Sequence, residues 1–161
     1  MRFKIVSLIA VAGLVAACGT APTTETSTTS GEGQATAAAA PSMPMTSQEQ
    51  LHKVGDRVFF GFDKYDLTAA ARADLNKQAA WMKANGGVNV TIEGHCDERG
   101  TREYNLALGE RRATAVADYL MTLGVASDRI NTISYGKERP AYAASTEQAW
   151  AQNRRSVTVV R

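Results

Sequence analysis

The 161-residue chain has little of several things that would define a function. It has two cysteines, Cys18 and Cys96, and two histidines, His52 and His95. A disulfide framework needs more cysteines than that, and a zinc cluster needs more cysteine and histidine ligands. Net charge is nearly absent as well. The +2 balance comes from 18 Lys+Arg against 16 Asp+Glu, and Arg2 and Lys4 both lie in the first few residues. If those leave with a leader, 16 basic residues face 16 acidic ones. The pI near 8.6 then indicates no basic surface able to release counterions from a nucleic acid. Long apolar runs are missing too. The longest, Ile5–Ala17, has roughly 13 residues, too few for a helix to cross about 30 Å of hydrocarbon.

That run has instead the dimensions of a signal-peptide core, with Arg2 and Lys4 as its positive flank, which marks residues 1–17 as a signal peptide. It ends Val15-Ala16-Ala17-Cys18, which resembles a bacterial lipobox, so Cys18 is the expected lipidation site. Several acyl chains on one residue make a stable membrane anchor where a single chain would not. Gly19 after the cysteine, rather than Asp, points within this lipoprotein class to the outer membrane. With Cys18 acylated, Cys96 has no partner for an internal disulfide.

Residues 18–47 read as the lipidated cysteine and a flexible tether. Thr, Ser, Ala, Gly and Pro dominate, with no aromatic residue, so the segment has too little apolar surface to offset its ordering entropy. It reaches ~100 Å at most and averages ~30 Å as a coil.

Residues 48–161 read as one domain. Strands are expected at Val58–Phe62, Val88–Glu93, Ile130–Tyr135 and Val157–Val160. Helices are expected from Thr68 to Asn85, with Ala71, Leu75, Ala79 and Met82 on one stripe, and from Thr101–Asn105 to Gly124. A short one, boxed by Ser145 and Gln148, runs through Trp150. The pattern βαβαβ(α)β predicts an α/β two-layer sandwich with a mixed four-stranded sheet.

The chemistry concentrates in Gly94-His95-Cys96-Asp97-Glu98-Arg99-Gly100-Thr101, beyond the carboxyl end of the second strand, where open α/β sheets bind ligands. In the next helix Leu108, Val116, Leu120 and Leu123 form the buried stripe, and Arg112 projects from it. A guanidinium there stays charged and needs an anionic partner. Two readings follow. Asp97 and Arg112 form a structural salt bridge, or they take the ammonium and the carboxylate of one zwitterionic ligand. Gly109 costs the helix about 1 kcal/mol relative to Ala, which implies a close approach to its backbone. A metal site at His95, Cys96 and Asp97 is disfavoured because consecutive strand residues point to opposite faces. The same alternation disfavours a Cys96–His95 nucleophile pair, so neither an enzyme nor a cofactor is expected. Alternation also places His95 with Asp97 and turns Cys96 the other way, as a buried, unreactive thiol. Arg111, Arg154 and Glu110 are expected on solvated faces.

Several segments, namely Phe62–Leu67, Glu93–Asn105, Leu108–Ala113, Ser134–Pro140 and Asn153–Arg155, resemble the OmpA-like peptidoglycan-binding domain family, in the form its lipoprotein (Pal) branch carries. The likeness covers essentially residues 50–161. It implies non-covalent binding of peptidoglycan through the diaminopimelate of the stem peptide. By position, Asp97 and Arg112 would clasp the charged ends, Asn105 and Thr101 would hydrogen-bond nearby, and Leu108 would pack on the methylenes. Phe62 and Asp63 would form a wall, and Arg155 would complete the basic side. It also implies the propeller protein TolB and other Tol-Pal components as partners, with the contact at Glu98–Tyr104, and a role in envelope integrity and cell division. Cys96 departs from the small Ala or Thr found in many relatives.

Overall fold

The computed structural model describes residues 44–161; the expected signal peptide, Cys18 and most of the expected tether lie outside them. Among the described residues no helix is long and apolar enough to cross a membrane.

The order is α1 (Ser47–Val54), β1 (Arg57–Phe59), α2 (Ala69–Ala84), β2 (Val90–His95), α3 (Arg102–Thr122), β3 (Ile130–Gly136), α4 (Glu147–Asn153) and β4 (Arg155–Val160). The sheet runs β1-β4-β2-β3, with β2 and β3 parallel and β4 antiparallel to both neighbours. It is the mixed four-stranded sheet expected. The parallel pair requires a crossover, and α3 provides it.

All four helices start the same way, with a threonine side chain accepting an amide three residues on. Thr46, Thr68, Thr101 and Thr146 are these caps. Helix α1 is absent from the sequence reading, although Thr46 and Glu49 form a reciprocal capping box. At α4 the cap is Thr146 rather than Ser145, and the helix continues past Trp150. Strand β1 stops earlier than expected, because Gly61 to Lys64 form a turn with Asp63 at φ 56°.

The core lies between the sheet and helices α2 and α3. The expected α2 stripe of Ala71, Leu75, Ala79 and Met82 is buried against Val58, Val90 and Ile92. From α3 come Ala113, Val116 and Leu120. A buried pair, Gln78 and Thr158, crosses this layer at 2.8 Å, and the Gln78 amide also donates to Gly55 O. Arg129 closes the end of α2 by donating to the carbonyls of Met82, Asn85 and Val88.

The close approach inferred at Gly109 is present. A Cβ built on Gly94 would lie 1.9 Å from Gly109 O, and one on Gly109 would lie 2.3 Å from Ser134 Oγ. Helix α3 therefore rests backbone on backbone against β2. This contact sets Arg112, almost one turn later, at the loop that follows β2.

Candidate functional site

Beyond β2 the loop Cys96–Gly100, the first half of α3, the β1–α2 turn and Arg154 enclose a pocket of about 190 Å³. Six of the eight binding residues expected from sequence line it: Phe62, Asp63, Asp97, Asn105, Leu108 and Arg112. Thr101 does not, since its hydroxyl is used as the α3 cap, accepting Tyr104 N at 3.2 Å.

Arg155 does not line it either. Gly94, Ser156 and Thr158 face the helices, so their neighbours His95 and Arg155 face the other side of the sheet. There Arg155 is buried and donates to the carbonyls of Asn153 and Arg139. The place expected for it belongs to the preceding residue. Arg154, expected on a solvated face, is 7% exposed, lines the pocket and reaches Asp97 Oδ2 at 3.3 Å.

The salt bridge between Asp97 and Arg112, one of the two readings of the sequence, is not formed. Asp97 is buried and pairs with Arg99 at 2.6 Å and with Arg154 at 3.3 Å. Burial alone would raise its pKa, but hydrogen bonds from Arg99 and Arg154 outweigh that and hold it below the usual carboxylate value. Arg112, 1% exposed, donates instead to neutral acceptors. Nε reaches Lys64 O at 2.8 Å, Nη1 reaches His95 O at 2.8 Å and Cys96 Sγ at 3.5 Å, and Nη2 reaches Gly61 O at 3.2 Å. Among the described residues no carboxylate lies within 4 Å of this guanidinium. Burial lowers its pKa from the ordinary arginine value, the direction expected of a cation without a counter-ion. Of the five N–H groups on a guanidinium, the second on Nη2 and the one aimed at the weakly accepting sulfur keep capacity for an anion.

The walls are braced. Tyr104 donates its hydroxyl proton to Asp63, and Asn105 Nδ2 holds the carbonyls of Arg99 and Thr101 at 2.7 and 3.0 Å. Lys137 ties down the carbonyls of Glu98 and Gly100, and Trp150 Nε1 donates to Glu98 Oε1. Arg99 stacks between the rings of Phe62 and Trp150. Trp150 thus borders the site.

Cys96 is buried as expected, at 2% exposure, and burial pushes its thiol up to about 11. It turns toward the helix layer, also as expected, but it does not point away from Asp97. The strand ends at His95, alternation lapses, and Cys96 lines the same pocket as Asp97, with Sγ 3.4 Å from Asn105 O. His95 alone turns to the far face, stacked against Tyr135 with Nε2 3.4 Å from Glu93. Among the described residues no three His, Cys, Asp or Glu side chains gather as metal ligands. Arg99, Tyr104 and Arg154 were missed as site residues. Arg99 and Tyr104 fall in the quoted loop, so the signal was present, whereas nothing in the sequence distinguishes Arg154 from Arg155.

Residues 59–154 match the OmpA family. The chain belongs to this family. It is 51% identical over 117 residues to the peptidoglycan-associated lipoprotein of Brucella melitensis, covering 73% of this chain and 70% of that one. To the protein of the same name from Mesorhizobium japonicum it is 43% identical over 160 residues, covering 99% and 90%. Among solved structures it resembles the peptidoglycan-associated lipoprotein of Burkholderia pseudomallei, with a TM-score of 0.64 and 42% identity, covering 66% and 90% of the two chains. An OmpA-family fold of the kind these lipoproteins carry is therefore the architecture around the pocket.

Proposed function

We propose that the protein is an outer-membrane lipoprotein. Its domain binds peptidoglycan non-covalently, through the diaminopimelate of the stem peptide, and performs no catalysis. The observation that carries the reading is the separation of charges in one pocket. Asp97 and Arg112 both line it, yet each has its own partners and neither neutralises the other. A buried cation held only by neutral acceptors is costly unless an anion reaches it. A ligand with an ammonium and a carboxylate a few ångströms apart complements that arrangement, and Leu108 offers apolar contact between them. The relatives named peptidoglycan-associated lipoprotein support the choice of polymer.

The anchoring part rests on the sequence: a lipobox-like run ending at Cys18, acylated and inserted in outer-membrane lipid, with the domain in the periplasm. Binding at both ends would tether membrane to wall. The exposed, braced loop Glu98–Tyr104 suits a docking role toward TolB within a Tol-Pal system acting at division.

The test is sedimentation of detergent-solubilised full-length protein with purified sacculi. Asp97→Asn and Arg112→Lys should each weaken binding roughly ten- to a hundredfold, the loss of about 1.5–3 kcal/mol of charge-assisted hydrogen bonding. The conservative variants preserve volume, so circular dichroism should remain native. Undiminished sedimentation by both would reject the clasp.

A further inference from the structure

We propose that Arg99 is a built-in competitor for the ligand's ammonium, which takes its place on Asp97 only when this guanidinium swings aside. The proposal rests on the zwitterion reading of the pocket.

The argument is an account of lone pairs. A carboxylate has about four acceptor positions, and Asp97 has four donors. Oδ1 receives the Arg99 amide at 3.1 Å and Arg99 Nε at 3.3 Å. Oδ2 receives Arg99 Nη2 at 2.6 Å and Arg154 Nη1 at 3.3 Å. An ammonium therefore has no position until a donor leaves. Arg154 is held by Phe60 O and by Glu147 at 2.9 Å, with its side chain 8% exposed. The Arg99 amide is part of a loop fastened by Asn105 and Lys137. The Arg99 side chain is the one free to go, being 32% exposed.

The geometry also provides for the displaced group. The guanidinium carbon lies 4.1 Å from the Phe62 ring centre and 4.2 Å from that of Trp150, so two rings on different elements flank it. Glu147 Oε2, 3.7 Å from Nη1, is a second acid within reach. A cation released from Asp97 thus remains at the mouth of the pocket. A ligand that brings only an ammonium displaces Arg99 and gives nothing back. One that also carries a carboxylate offers the displaced guanidinium a new partner. Arg99 accordingly acts as a specificity-determining residue that favours an amino-acid zwitterion over a plain amine.

The experiment is calorimetric titration of full-length protein in detergent with two stem peptides, one containing diaminopimelate and one containing lysine, which lacks the side-chain carboxylate. Removing an ion pair at this partial exposure should tighten diaminopimelate-peptide binding in Arg99→Ala about three- to tenfold. The lysine peptide should gain more, so discrimination narrows, and Arg99→Lys should fall between. Weaker binding of both peptides by Arg99→Ala would show that Arg99 does not compete for Asp97 and overturn the proposal. Unchanged binding would overturn it as well, leaving the zwitterion reading intact. Binding of neither peptide by wild type or variant, or binding unaffected by Asp97→Asn, would instead overturn the zwitterion reading and this proposal with it.

Discussion

His95 should make the domain acid-sensitive well above the pH at which its carboxylates titrate. The ring is 2% exposed on the sheet face away from the helices, and neither nitrogen makes a well-formed hydrogen bond. Burial first, and then the positive charge of Arg155, lowers its pKa from 6.5 to about 4. A depressed pKa on a base means that the unfolded chain takes up the proton first. Stability is therefore full above about 6.5 and falls as pH drops toward 4, below which the loss levels off. Two and a half units correspond to about 3 kcal/mol, of which about 2 kcal/mol should be gone by about pH 5. The depressed carboxylates Asp56 and Asp97 start from an ordinary value of 3.8, so their losses come lower. Urea unfolding at intervals between about pH 7.5 and 5 isolates the histidine. His95→Leu, which has similar volume and no titrating group, should flatten the curve across that window. Parallel curves for the two proteins, or an imidazole titrating near 6.5 by NMR, would refute the reasoning.

Two further outcomes follow from packing and burial. Gly94→Ala should lower stability by ~3 kcal/mol or more, because the new methyl group meets the Gly109 carbonyl at 1.9 Å, a backbone atom that cannot step aside. Gly86→Ala, with nothing within 4 Å, is the control in the same thermal melt and should change little. Cys96 in a Cys18→Ser chain should react with iodoacetamide at neutral pH ~100-fold more slowly than a free thiol peptide, as a thiol raised to about 11 requires. Alkylation at the peptide's rate would show the thiol to be accessible.

Much of this fold is legible because it is written in periodicity. The α2 stripe repeats at helical spacing and is buried residue for residue, and Val90 and Ile92 alternate with Thr91 and Glu93 as a sheet with one covered face requires. The errors fall where local turns override pattern. Val58–Phe62 reads as one apolar strand, but the Gly61–Lys64 turn ends it and exposes Phe62 at 60%, beside the pocket. Helix α1 has a single buried residue, Leu51, so its periodic signal is faint and only the capping box marks it.

The site divides along the same line. Arg112 is legible because a cation on an apolar helical stripe violates the pattern, and such violations concentrate where function requires them. Its partners are not legible, because three of them are carbonyls, and backbone atoms carry no sequence signature. That is why a carboxylate partner was expected of Asp97, when Gly61, Lys64 and His95 supply the acceptors. The distinction changes the chemistry. A guanidinium paired with Asp97 would be satisfied and closed to ligands. Held by neutral oxygens its charge stays uncompensated, while Asp97 is bound by Arg99 and Arg154. The Gly94–Gly109 contact makes this possible by bringing α3 close enough for Arg112 to reach carbonyls from both the β1–α2 turn and β2. The glycine that weakens the helix is thus the one that lets a buried cation remain available to an anion.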